Sequence, residues 1–159
     1  MLFRTHLAVA LLIALILLFF NINLVFIIVF VIASLLADID SPTSKIGKRF
    51  KFLNYLFTHR GFFHSLFALL IFTILLYFVN FLFAIAFFSG YFLHLLLDSF
   101  TKQGIFLFYP FSTKRSKGNI RVGSLLETIV FFVVLFLMVV LLVFYIKQRF
   151  FWKISIISI

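Results

Sequence analysis

From Leu7 to Ala37 the chain carries no charge, and its polar exceptions are Asn21, Asn23 and Ser34. One helix through this run would be about 46 Å long, against roughly 30 Å of bilayer hydrocarbon. Two helices turned at Asn21-Ile22-Asn23 would each be about 20 Å, short for a full crossing. In both cases the run belongs in lipid, and it is not alone. Phe62–Val79, Phe81–Leu97 and Leu125–Ile146 read as further spans, with Asn80 as a tight turn between the first two. The chain is 65% hydrophobic over 159 residues, more apolar surface than a soluble domain of this size could hide from water.

The expected fold is therefore all-α: one polytopic integral-membrane bundle over 1–159, with about five membrane helices and a short interfacial helix. That last element is placed at Lys45–Phe57. There Ile46, Phe50, Leu53 and Phe57 recur at helical spacing, with Lys48, Arg49 and Lys51 near the other side, a pattern suited to the headgroup plane. Asp38–Ser44 reads as a turn. Arg4 ahead of an apolar run raises a signal peptide, but no small-residue cleavage site follows at the right distance, so an uncleaved membrane segment is expected.

Charge supplies the orientation. There are 14 Lys+Arg against 4 Asp+Glu, a net charge of +10. With 7–37 folded as a hairpin, eleven of the bases fall on one face, and only Lys147, Arg149 and Lys153 on the other. The positive-inside rule makes the first face cytoplasmic, in a plasma (inner) membrane, where it would meet anionic headgroups. Nucleic acid is disfavoured as a partner, because the bases are spread among apolar spans and form no separate basic domain. The absence of cysteine removes disulfides and thiolate ligands. The 28 Phe are lipid-facing or core bulk.

The same topology gathers the rare groups. His6 starts the first helix, Asp38 and Asp40 follow the second, and His59 and His64 begin the third. His94 and Asp98 end the fourth, and Glu127 begins the fifth. All four histidines and all four acids share one membrane face, and this convergence favours the hairpin. His94 and Asp98 lie four apart, on one side of a helix, as two ligands of one ion need to be. Asp38 and Asp40, two apart in an extended turn, can aim both carboxylates the same way, one of them bridging two metals. His59 and His64 are five apart, about 140° round a helix, and share a site only if the helix starts near Gly61.

Each group also has a plain structural reading. His6 and Arg60 could be headgroup anchors, Asp38 and Asp40 a helix-ending turn, and His94 with Asp98 a buried hydrogen-bonded pair. Glu127 could be a first-turn acid favoured by the helix dipole. It is the meeting of eight such groups at one face that weighs against these readings.

Leu36-Ala37-Asp38-Ile39-Asp40-Ser41-Pro42, His59-Arg60-Gly61-Phe62-Phe63-His64-Ser65, and Gly90-Tyr91-Phe92-Leu93-His94 through Asp98 resemble the YdjM-type membrane-bound metal-dependent hydrolases. These are also described as LexA-binding, inner-membrane-associated hydrolases. Thr101–Gly104, Tyr109-Pro110-Phe111, Ser124–Glu127 and His6 resemble further parts of that family, so the similarity runs over about residues 6–127. The chain departs from the family pattern at Ala37 (commonly Pro), Ser41 (commonly His, a possible ligand) and Phe63 (often Thr). The family is distantly similar to zinc-dependent phospholipase C and single-strand nucleases, which implies phosphoester hydrolysis.

The resulting expectation is a metal-dependent hydrolase acting on a phosphoester, such as a phospholipid, at the cytoplasmic membrane face. His6, Asp38, Asp40, His59, His64, His94 and Asp98 would hold one to three divalent ions. Zinc is the first choice, with manganese or magnesium as alternatives. Asp40, Arg60 and Glu127 are the catalytic candidates, Arg60 toward phosphate oxygens. The alternatives are a non-enzymatic membrane adaptor for a cytoplasmic partner and a metal-ion transporter. The transporter reading lacks mid-span acids or histidines.

Overall fold

The computed structural model describes residues 1–40 and 61–157, with side chains described for 1–38 and 61–148. The expected interfacial helix at 45–57 lies outside the described residues. Five α-helices are present among them: α1 (Phe3–Phe19), α2 (Leu24–Leu36), α3 (Leu66–Val79), α4 (Phe81–Ser99) and α5 (Leu125–Ile157). Short 3₁₀ turns at Ala37–Asp40 and Phe62–His64 extend α2 and precede α3.

The run from Leu7 to Ala37 is a hairpin. Asn21 takes a positive φ of 56°, a conformation asparagine tolerates better than the surrounding β-branched residues would. The Asn23 side chain then caps α2 by accepting from the Val25 N–H at 2.8 Å. Asn80 performs both jobs at the next reversal. Its N–H closes α3 on the Leu76 carbonyl at 2.8 Å, and its Oδ1 accepts from the Leu82 N–H at 2.8 Å to open α4.

The expectation of about five membrane helices is narrowed by length. Among the described residues only α4 and the Leu125–Gln148 part of α5 are long and apolar enough to cross a membrane; α1, α2 and α3 are apolar but have 17, 13 and 14 residues. At 1.5 Å per residue α2 reaches only about 20 Å. The expected third span begins four residues late, because Phe62–His64 is a 3₁₀ turn and Ser65 caps the α-helix proper through the Ala68 N–H. In the opposite sense α5 outruns its expected end at Ile146 and continues to Ile157.

Packing sets where the polar groups go. α2 and α4 run parallel: Phe30 faces Gly90, and one turn further along both helices Ser34 faces His94. Gly90 permits this approach, since a Cβ there would lie 2.1 Å from the Phe30 carbonyl oxygen. Ala33, Ala37, Leu69, Phe87, Tyr91, Leu95 and Ile105 fill the core between α2, α3 and α4. α5 lies along α1, with Arg4 over the Phe131 ring at one end and Phe19 beside Phe144 at the other. The start of α1, the ends of α2 and α4 and the starts of α3 and α5 therefore meet at one end of the bundle. The 100–124 segment is folded on itself by a parallel bridge between Thr101 and Ile120 and an antiparallel one between Ile105 and Ser116, and it is tied to the start of α3 by the Leu66 N–H, which donates to the Leu107 carbonyl at 2.9 Å.

Candidate metal centre

His94 is fully buried on α4. Its Nδ1 lies 2.8 Å from the Ser34 carbonyl oxygen. A carbonyl can only accept, so Nδ1 carries the proton and the imidazole is held with its Nε2 lone pair facing the other way. That Nε2 is buried with no hydrogen-bond partner. It looks onto Asp38 Oδ1 at 3.8 Å and Asp98 Oδ2 at 3.9 Å, too far for hydrogen bonds.

His64 reaches the same place from the other side. The 3₁₀ turn that carries it is tied to α4 by the Tyr91 hydroxyl, which donates to the Phe63 carbonyl. His64 Nε2 is 3.7 Å from Asp38 Oδ1 and 3.6 Å from Asp98 Oδ2. Two imidazole nitrogens and two carboxylate oxygens thus lie across four edges of 3.6–3.9 Å. A tetrahedral ion with bonds of about 2.0–2.2 Å would set its ligands about 3.4 Å apart. Each of these four edges is a few tenths of an ångström longer than that.

His6 adds a third imidazole. It stacks on His94 with ring centroids 4.0 Å apart and 8° between planes. Its Nε2 is 3.1 Å from Asp98 Oδ1, which also receives the Met1 amine. Asp98 therefore turns one oxygen toward His6 and the other toward His64 and His94. Two overlapping groups, His6/His94/Asp98 and Asp38/His64/His94, have ligand atoms within 4.8 Å of one another. Burial would raise the Asp38 carboxyl, but a hydrogen bond with His64, with smaller contributions from His94 and His6, outweighs it and holds it at about 2. Asp38 is therefore an anion, ready to meet a cation.

Of the expected ligands, His6, Asp38, His64, His94 and Asp98 come together. His59 and Arg60 lie outside the described residues, as does the Asp40 side chain. Glu127 is fully buried but stands apart from the cluster. Its Oε1 accepts from the Leu2 N–H at 2.6 Å and the Thr5 hydroxyl at 3.1 Å, and its Oε2 from the Gly123 N–H at 2.6 Å. It fastens the start of α5 to the start of α1, just ahead of His6.

Sequence reasoning missed the parts that aim the ligands. Ser34 was visible only as a polar exception, and it is its carbonyl that matters. Tyr91 and Gly90 carried no signal as single residues. Ser65, immediately before an apolar run, had the pattern of a helix cap and could have been found.

No curated protein and no solved structure matches the chain. A family model described as "YdjM inner membrane protein" matches residues 1–159, the whole length. The chain belongs to the YdjM inner membrane protein family.

Proposed function

We propose that this protein is an integral-membrane hydrolase that depends on a divalent metal ion, zinc first, and acts on a phosphoester at the cytoplasmic membrane face. The observation that carries the reading is the His94 Nε2 lone pair, buried and directed at two carboxylate oxygens. Three electron-rich atoms facing each other in a dry interior repel unless a cation lies between them. The donor set of imidazole nitrogens and carboxylate oxygens, without thiolate, suits zinc and admits manganese or magnesium. When bound, such an ion supplies Lewis acidity toward a phosphoryl oxygen and makes water a stronger acid.

The chain's own groups prepare that chemistry. Ser34 fixes the His94 tautomer, as outer partners of metal-bound histidines commonly do. Asp98 restrains His6 with one oxygen while the other faces His64 and His94. Asp98 and Glu127 are buried, whereas Lys102, Lys114, Arg115, Lys117 and Arg121 are exposed at this end of the bundle, which favours an anionic substrate. On sequence grounds Arg60 contacts phosphate oxygens and Asp40 assists the metal site. In this reading α1–α3 enter the bilayer beside α4 as a partly inserted bundle.

The test is elemental analysis of the purified protein beside His64→Ala and His94→Ala, followed by a phosphodiester and phospholipid hydrolysis screen. Near-stoichiometric zinc in the parent, lost in both folded variants, together with metal-dependent release of product, is the expected result. A folded parent that takes up no divalent ion on reconstitution would overturn the reading.

A further inference from the structure

The polar segment after α4 contains an open cleft of about 540 Å³ lined by Lys102, Gln103, Arg121 and Val122. Its volume is within the range of small-molecule sites. The two bases are brought together by backbone pairing. Thr101 bridges Ile120, the Lys102 N–H donates to the Ile120 carbonyl at 2.8 Å, and the Ile120 N–H donates to the Phe100 carbonyl at 3.1 Å. Lys102 and Arg121 each follow one member of this bridge, so they emerge side by side, on the face opposite buried Thr101. Gly118 allows the close pairing, because a Cβ there would sit 2.2 Å from the Phe100 carbonyl oxygen.

Two cations held next to one another repel, and nothing among the described residues neutralises them. Neither forms an ion pair there. Their neighbour Arg115 is occupied otherwise, donating to the Gln103 carbonyl at 3.3 Å and lying 4.5 Å over the Phe106 ring. The cleft also lies close to Asp98 along the chain. The Thr101 N–H and hydroxyl both donate to the Asp98 carbonyl, at 3.1 and 2.7 Å. Four residues of backbone separate Asp98 from Lys102, a reach of at most about 14 Å.

We propose that Lys102 and Arg121 form an anion subsite that binds a phosphate group of the substrate, as part of the hydrolase reading given above. Arginine supplies a planar fork for phosphate oxygens and lysine a compact charge. The shared chemistry is a phosphate ester, whether on a lipid headgroup or on a soluble molecule.

The experiment uses the full chain in phosphatidylcholine nanodiscs, as purified and after chelator treatment. One arm titrates inorganic phosphate and follows its ³¹P line width. The other adds phosphatidylglycerol to the nanodiscs and counts retained lipid by native mass spectrometry. Lys102→Gln/Arg121→Gln is compared with Lys114→Gln/Lys117→Gln, an equal loss of charge on the same segment, and zinc content is measured throughout. About tenfold weaker binding in the first double variant, in either arm, with the second within twofold and zinc unchanged, supports the subsite. The responding arm identifies the source. Binding that persists after chelation while hydrolysis is absent would keep the subsite and remove the hydrolase. Equal losses in both double variants, no loss in the first, or no binding by the parent in either arm would overturn the proposal. The single Lys102→Gln and Arg121→Gln variants, each expected to give part of the loss, serve if the double variant fails to fold.

Discussion

α4 and α5 look alike as apolar stretches, and both are long enough to cross a membrane, yet 44% of the α4 span is buried inside the fold and only 6% of the α5 span. The less apolar helix is the one in the middle. In lipid, an apolar face gains nothing by leaving the solvent for a protein neighbour, so helices associate through small and polar residues instead. On α4 the buried positions Ala86, Gly90, His94 and Asp98 fall at four-residue steps, a single stripe. Its first half is small enough for α2 to approach, and its second half carries two of the residues that could hold a metal ion. Between Leu125 and Gln148, α5 has neither Gly nor Ala, and Phe132, Phe136 and Val143 remain exposed. A membrane helix can thus be central because it is less apolar.

The sharpest way to break this contrast is at the ligand half of the stripe. His94→Ala and Asp98→Asn should each reduce bound zinc from near-stoichiometric to background in elemental analysis, with helical content by circular dichroism retained. Zinc retained in both would mean that the stripe is a structural polar seam and not a metal site. The small half comes next. Gly90→Leu must push a side chain into the space held by the Phe30 carbonyl. Overpacking of this kind costs about 1–3 kcal/mol, to be read from thermal unfolding in detergent. It should also weaken zinc retention, because the same approach of α2 delivers Ser34 to His94. A stability loss with zinc affinity unchanged would separate packing from ligand positioning.

The halves of this stripe were not equally legible. His94 and Asp98 could be paired from spacing alone, since four residues return to the same side of a helix. His6 joined them only through topology: the hairpin at Asn21–Asn23 was needed to bring residue 6 to the face of residue 98. The Ser34 contact could not be read at all, because every residue has a carbonyl and only the α2–α4 approach selects this one. Gly90 was equally silent, as its role is the absence of a side chain opposite a backbone that sequence does not place. The five helices were legible as apolar runs, but such runs mark what avoids water, while crossing a bilayer also requires length. Glu127 was grouped with the acids by its membrane face, but the fold gives its oxygens to Leu2, Thr5 and Gly123.

That carboxylate is where α5 is coupled to the site. Glu127→Gln keeps the shape but removes the charge from hydrogen bonds to two backbone N–H groups and a hydroxyl. Charge-assisted bonds contribute about 1.5–3 kcal/mol each against about 1 for neutral ones, so a destabilisation of about 2 kcal/mol in thermal unfolding is expected. Zinc retention should fall less than in His94→Ala, since Glu127 acts on His6 only by fastening the start of α1. Loss of zinc equal to that in His94→Ala would instead make Glu127 a ligand.

The smallest effect should come from the lipid face of α5. Phe136 is 68% exposed, so truncating its side chain removes little protein contact and little protected apolar surface. Phe136→Ala should therefore change stability by no more than about 0.5 kcal/mol and leave zinc content as it was. The comparison with Gly90→Leu is the informative one, because by side-chain volume alone the change at 136 is as severe as the change at 90. If Phe136→Ala unfolds the protein as readily, then that face of α5 is covered by protein in the bilayer, and a second chain would be its nearest source. Size-exclusion chromatography with light scattering on the same variant would then show a loss of subunits. If stability holds, α5 is a lipid-facing strut whose influence on the centre passes through Glu127.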